Sequence, residues 1–95
     1  MISNITIEEV LQKKEKNIID IRDVSAYLKG HIENAKSIPK SLLLESPERY
    51  LDKSQIYYIY CYSGVQSMKV VQALRQRGYH VKNILGGYHN YLLRK

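Results

Sequence analysis

Apolar residues change spacing repeatedly along the chain, and each change marks a new element. Thr6 with Glu9 three positions on has the form of a capping box, so a helix opens over residues 7–14 with Val10 and Leu11 inward. Residues 17–21 (N-I-I-D-I) are too short for a helix and rich in isoleucine, which predicts a buried strand. Asp23 stands where it would cap a brief helix through Val24, Ala26, Tyr27 and Leu28, with Gly30 as its stop. Residues 35–38 make a weak strand ended by Pro39, and residues 41–51 one or two short helices broken at Pro47. Residues 56–60 (I-Y-Y-I-Y) carry the strongest strand signal. Met68, Val71 and Leu74 recur at helical spacing with Val70 and Ala73 beside them, so residues 67–77 form a helix that Gly78 stops. Residues 81–85 are again strand-like, and Gly86-Gly87 turns the chain into a last helix through Tyr88, Tyr91 and Leu92.

Strands alternating with helices predict an α/β fold, a parallel sheet covered on both faces. Residues 1–95 make a single domain, long enough to fold without disulfides or a structural metal. The net charge of +6 raises the question of nucleic acid. The basic residues are scattered, however, and no basic stretch is interleaved with aromatics as a single-strand binder requires, so no nucleic-acid partner is expected. A positive surface would still draw in small anions. No apolar run approaches the roughly 20 residues that span a bilayer, and no secretory leader is visible. The expectation is a cytoplasmic protein with no membrane partner.

Cys61 is the only cysteine, which excludes an internal disulfide framework. A lone cysteine is by default a small buried hydrophobe. Here position argues otherwise. Cys61 follows the strongest strand and precedes a well-formed helix, and ligands of open parallel sheets bind beyond the carboxyl ends of strands. The unpaired first amides of a helix, with its dipole, favour an anion at that end. Amides of residues 62–66 could curl around the sulfur as a nest, with Gly64 supplying the unusual backbone angle. Such a setting lowers a thiol pKa from about 8.5 into the range of roughly 3.5 to 7.5, and the thiolate is the nucleophile.

Other chemistries fit less well. His31, His80 and His89 have no metal-motif spacing, so neither a metal nor a cofactor is expected. A Cys-His-Asn site with His89 and Asn90 has no support in spacing. Asp20, near a strand end, could be an acid catalyst, but pairing with Arg22 is the stronger reading.

Several pieces, in order and spacing, resemble a rhodanese-like domain. Asp20-Ile21-Arg22, Tyr27, Gly30-His31-Ile32, Ala35 and Ile38-Pro39 are similar to its first half. Tyr60-Cys61-Tyr62-Ser63-Gly64-Val65-Gln66-Ser67 resembles its active-site loop, and Leu85-Gly86-Gly87-Tyr88 its closing signature. The set is most similar to the small single-domain bacterial thiosulfate sulfurtransferases. The resemblance implies one domain with a central, mostly parallel sheet of about five strands and helices on both faces. It also implies transfer of a sulfane sulfur through a persulfide on Cys61, from a small anionic donor such as thiosulfate to cyanide or a thiol. Tyr62, Ser63, Gly64, Val65, Gln66 and Ser67 would form the anion-binding loop. Many thiosulfate-using members carry a cation directly after the cysteine or at the position of Gln66. With Tyr62 and Gln66 there, the anion falls to the loop amides, the Ser63 and Ser67 hydroxyls, or Arg22, which is open to both a substrate role and an ion pair with Asp20. Related domains instead serve as carriers loaded by a protein partner in sulfur relay. Cell-cycle phosphatases share the architecture but place an arginine where this chain has Ser67, which disfavours phosphoryl transfer.

Overall fold

The computed structural model describes residues 3–94. Its five strands are β1 (Asn4–Ile5), β2 (Ile18–Asp20), β3 (Lys36–Ser37), β4 (Ile56–Tyr60) and β5 (His80–Ile84). They form one sheet in the order β1-β5-β4-β2-β3, and every pairing is parallel. The connections carry helices α1 (Ile7–Gln12), α2 (Val24–Lys29), α3 (Lys40–Glu45), α4 (Val65–Gln76) and α5 (Gly87–Leu93). A 3-10 turn at Pro47–Arg49 follows α3, where proline was expected to break the helix.

Strand alternation sends side chains to two separate cores, one on each face of the sheet. Ile19, Ile59 and Val81 face α3 and α4, packing with Leu43, Val70, Val71 and Leu74. Ile18, Tyr58, Tyr60 and Ile84 face the other way, against Ile7 and Val10 of α1, with Tyr27 of α2 and Tyr88 and Tyr91 of α5 alongside. Helices on both faces follow from this burial, as expected of parallel strands.

Several boundaries depart from the sequence expectation. The capping box forms fully, with Glu9 N–H donating to Thr6 Oγ1 at 3.1 Å and Thr6 N–H to Glu9 Oε1 at 3.2 Å. The helix it opens ends at Gln12 rather than at residue 14, because Lys14 turns into the left-handed region at φ 54°. The Asp23 side chain makes no cap bond; α2 starts on the Asp23 carbonyl, which accepts from Ala26 and Tyr27. Strand β1 was not anticipated, since two residues carry no readable period.

The departure that matters most is at α4. It begins at Val65, not at residue 67, so half of the expected loop is the helix's first turn. Ser67 thereby occupies the third helical position, where its N–H has no partner within the helix.

Candidate active site

Strand β2 has β3 on one side and β4 on the other, so the chain reverses direction across the sheet between β2 and β4. At such a switch point the connections leave in opposite directions and open a crevice at the carboxyl ends. A cleft of about 380 Å³ lies there, lined by Ile21, Arg22 and Asp23 after β2, by Pro39, Lys40 and Ser41 after β3, and by Cys61, Tyr62, Ser63 and Gln66 after β4.

Cys61 is 6% exposed at the floor of this cleft. Its Sγ accepts from Gly64 N–H at 3.2 Å and Ser67 N–H at 3.4 Å, and the Ser67 hydroxyl oxygen lies 3.4 Å away. Burial alone pushes the thiol up. Hydrogen bonds from the Ser67 hydroxyl and from the Ser67, Gly64 and Ser63 amides outweigh it, and Cys61 is held below the ordinary thiol range. The loop can curl because Gly64 sits at φ 94°, and a Cβ there would press on Gly86 N at 3.0 Å.

The start of α5 fixes the loop from outside. Tyr88 N–H donates to the Cys61 carbonyl at 3.0 Å and His89 N–H to the Tyr62 carbonyl at 2.9 Å. Gly87, at φ 54°, lies so close that a Cβ would collide with the Cys61 carbonyl oxygen. The Gly86-Gly87 pair thus serves to bring the helix amides onto the loop.

Arg22 and Asp20 form an ion pair at the edge of the cleft. Asp20 is fully buried, and Arg22 holds both its oxygens, with Nη2 at 2.6 Å from Oδ2 and Nε at 3.0 Å from Oδ1. The Tyr60 hydroxyl donates to Asp20 Oδ2 at 2.6 Å, and Arg22 Nη2 also reaches the Gly30 carbonyl at 2.7 Å. The guanidinium lies over the Tyr88 ring, 4.3 Å from its centroid. Nε and Nη2 are thus engaged within the fold, while Arg22 also lines the cleft. Burial opposes the Arg22 charge, but Asp20 outweighs it and strengthens the guanidinium's hold on its proton.

The other site residues divide. Ser63, Gly64 and Ser67 direct amides at the sulfur. Tyr62 is half exposed, with its hydroxyl 3.3 Å from His89 Nδ1, while Val65 points outward. Gln66 faces the cleft, where its Oε1 accepts from Lys40 Nζ at 3.1 Å. His89 therefore engages Tyr62 rather than Cys61, and His31 bonds the Tyr27 carbonyl at 2.8 Å. Among the described residues no cluster of three His, Cys, Asp or Glu could hold a metal, and no helix is long and apolar enough to cross a membrane.

The rhodanese-like domain family matches residues 6–93. This chain belongs to that family. Among its relatives is the thiosulfate sulfurtransferase GlpE of Coxiella burnetii, 34% identical over 92% of this chain and 81% of that protein. A putative sulfur carrier protein of Bacillus subtilis, YrkF, is 30% identical over 90% of this chain but 49% of its own length. The crystal structure of SSP1007 from Staphylococcus saprophyticus superposes with a TM-score of 0.86 at 31% identity, covering 95% of this chain and 93% of that one.

Two residues at the site of this rhodanese-like domain had no sequence signal. Lys40 reaches the cleft because β3 lies beside β2, a long-range pairing no local pattern reveals. Asn83, mid-strand in β5, is buried and accepts from the Ser67 hydroxyl. A polar residue in an alternating strand reads as solvent-facing, and only the placement of α4 shows that this one is not.

Proposed function

We propose that the protein is a sulfurtransferase that moves a sulfane sulfur through a persulfide on Cys61. The observation that carries this reading is a buried sulfur ringed by neutral donors at the floor of an open cleft. The family and the thiosulfate sulfurtransferase relative support the same chemistry.

In the first step the Cys61 thiolate attacks the outer sulfur of thiosulfate. A Cys61–sulfur bond forms, the bond to the sulfonate sulfur breaks with its electron pair, and sulfite leaves. The negative charge now rests on the outer sulfur of the persulfide. In the second step cyanide, or a thiolate in the cell, attacks that sulfur and Cys61 departs as the thiolate. Charge and atoms balance without a redox partner. Covalent catalysis of this kind gives ping-pong kinetics. The loop amides serve both anions, and Lys40 at the cleft mouth supplies the cation that Tyr62 and Gln66 do not.

Thiocyanate release from thiosulfate and cyanide tests the reading. Turnover is expected, with complete loss in Cys61→Ala, and mass spectrometry of thiosulfate-treated protein should show an adduct of about 32 Da on Cys61. No adduct and no turnover in the folded protein would overturn it. The sulfur-carrier relative supports a second reading, a domain loaded by a protein partner. Stoichiometric loading without turnover would favour that one.

A further inference from the structure

The Ser67 hydroxyl has one proton and two acceptors. Its oxygen lies 3.4 Å from Cys61 Sγ and 2.5 Å from Asn83 Oδ1. All three groups are buried, Ser67 at 0% and Asn83 at 1% exposure. Asn83 shares its face of the sheet with Val81, against α4, in an otherwise apolar layer. A buried amide in such a place calls for a reason.

The hydroxyl donates once. When the sulfur is protonated, its S–H donates to Ser67 Oγ, and the Ser67 hydroxyl donates to Asn83 Oδ1. When the sulfur is an anion it can only accept. The hydroxyl then turns to it, and Asn83 Oδ1 loses its donor. Flipping the amide is no remedy, because Asn83 Nδ2 donates to the Gly64 carbonyl at 3.3 Å, and a flip would set two oxygens face to face.

We propose that Asn83 is a positioning residue that takes the Ser67 hydroxyl proton while the Cys61 sulfur is uncharged and yields it when that sulfur becomes an anion. For the loaded protein this rests on the persulfide reading above. Loading moves the charge to the outer sulfur, Sγ becomes a neutral disulfide-type sulfur, and the hydroxyl returns to Asn83. Asn83 therefore favours the loaded and protonated forms over the free thiolate. It slows the departure of Cys61 and so guards the bound sulfur against early release. The charged side chains lining the cleft are Arg22, Asp23 and Lys40, with His89 against Tyr62, and Lys69 of α4 lines the surface hollow that Asn83 borders; none hydrogen-bonds Ser67 or Asn83.

A pH series of iodoacetamide alkylation tests the exchange without sulfur chemistry. In Asn83→Val the Cys61 midpoint is expected to fall by about half to one pH unit, the worth of one hydrogen bond. Simple loosening of the loop would raise it instead. In a Ser67→Ala background the same change should move nothing. An unchanged or raised midpoint, or an equal fall without the Ser67 hydroxyl, would overturn the proposal. Asn83→Ala serves if the valine variant does not fold. In the unmutated protein, the Asn83 side-chain amide resonance should shift with the thiol midpoint, and a constant resonance would also overturn it. A lowered midpoint in a protein that never forms a persulfide would sink the sulfur-transfer reading and leave the proton exchange standing.

Discussion

Asp20 and Cys61 hold neighbouring places at the carboxyl end of the sheet, since Asp20 is in register with Tyr60 on β4. Both are buried anion sites, yet they are answered in opposite ways. Asp20 meets a full positive charge, a phenolic hydroxyl and the Arg22 backbone N–H, donating at 2.9 Å. Cys61 meets three amides and a hydroxyl and no cation. The contrast separates a charge that stays from a charge that moves. An arginine against Sγ would hold the negative charge on that atom and oppose its transfer to an outer sulfur. Neutral donors stabilise the thiolate while leaving the charge free to shift. The phenol of Tyr60 fits the first kind of site: burial, and then Asp20 as its acceptor, push its pKa far up, so it stays a donor.

The sharpest way to break this contrast is Asp20→Ala. It leaves the Arg22 guanidinium buried without its carboxylate and the Tyr60 hydroxyl without its acceptor. Losing one partner of a buried pair costs about 3–5 kcal/mol, a large share of a small domain's stability. Urea denaturation should show a loss of that size. A loss below about 1 kcal/mol would mean that Asp20 is as dispensable as a surface charge.

Ser67→Ala probes the other site and is expected to do less. It removes one neutral hydrogen bond to the thiolate, worth about 1 kcal/mol, so the alkylation midpoint of Cys61 should rise by about half to one pH unit. The sign follows from the depressed pKa. Thiolate persists to lower pH in the folded protein than in the unfolded chain, so its stabilising contribution is present above the unfolded pKa of about 8.5 and fades as pH falls through the folded value. Sulfur-transfer activity should fade in the same direction, and in Ser67→Ala the decline should begin at higher pH. A midpoint that does not move would assign the thiolate's stability to the amides alone.

What could be read from sequence differs between the same two regions. The Cys61 loop was legible because its parts are local: a β-branched and aromatic strand, a glycine, then a helical period. The α/β class was legible for the same reason, through the alternation of two apolar periods. Arg22 was not, because both of its roles fit the local sequence. The contacts that complete its ion pair, the Gly30 carbonyl and the Tyr88 ring, are brought in by the α2 turn and by α5. Asn83 and Lys40 depend on which strands and helices become neighbours, and β1 is too short to show a period.

Lys40 carries the smallest expected effect, and it tests whether the Cys61 side needs a cation at all. Its ammonium meets Gln66 Oε1 across the cleft mouth, exposed to solvent, and is not among the donors to Sγ. A cation there can hold the sulfonate end of a donor without fixing the charge of the reacting sulfur. Exposed charge pairs are worth about 0.2–1 kcal/mol, so Lys40→Ala should raise the KM for thiosulfate by up to about fivefold. The turnover number and the Cys61 alkylation midpoint should stay near their unmutated values, because the charge acts on binding and not on the thiolate. Added salt should shrink the difference between the two proteins, since a solvent-facing charge is screened. An equal KM in both proteins at low salt would leave the loop amides as the whole anion seat. The donors that serve Cys61 and its substrate would then all be neutral, in contrast with those of Asp20.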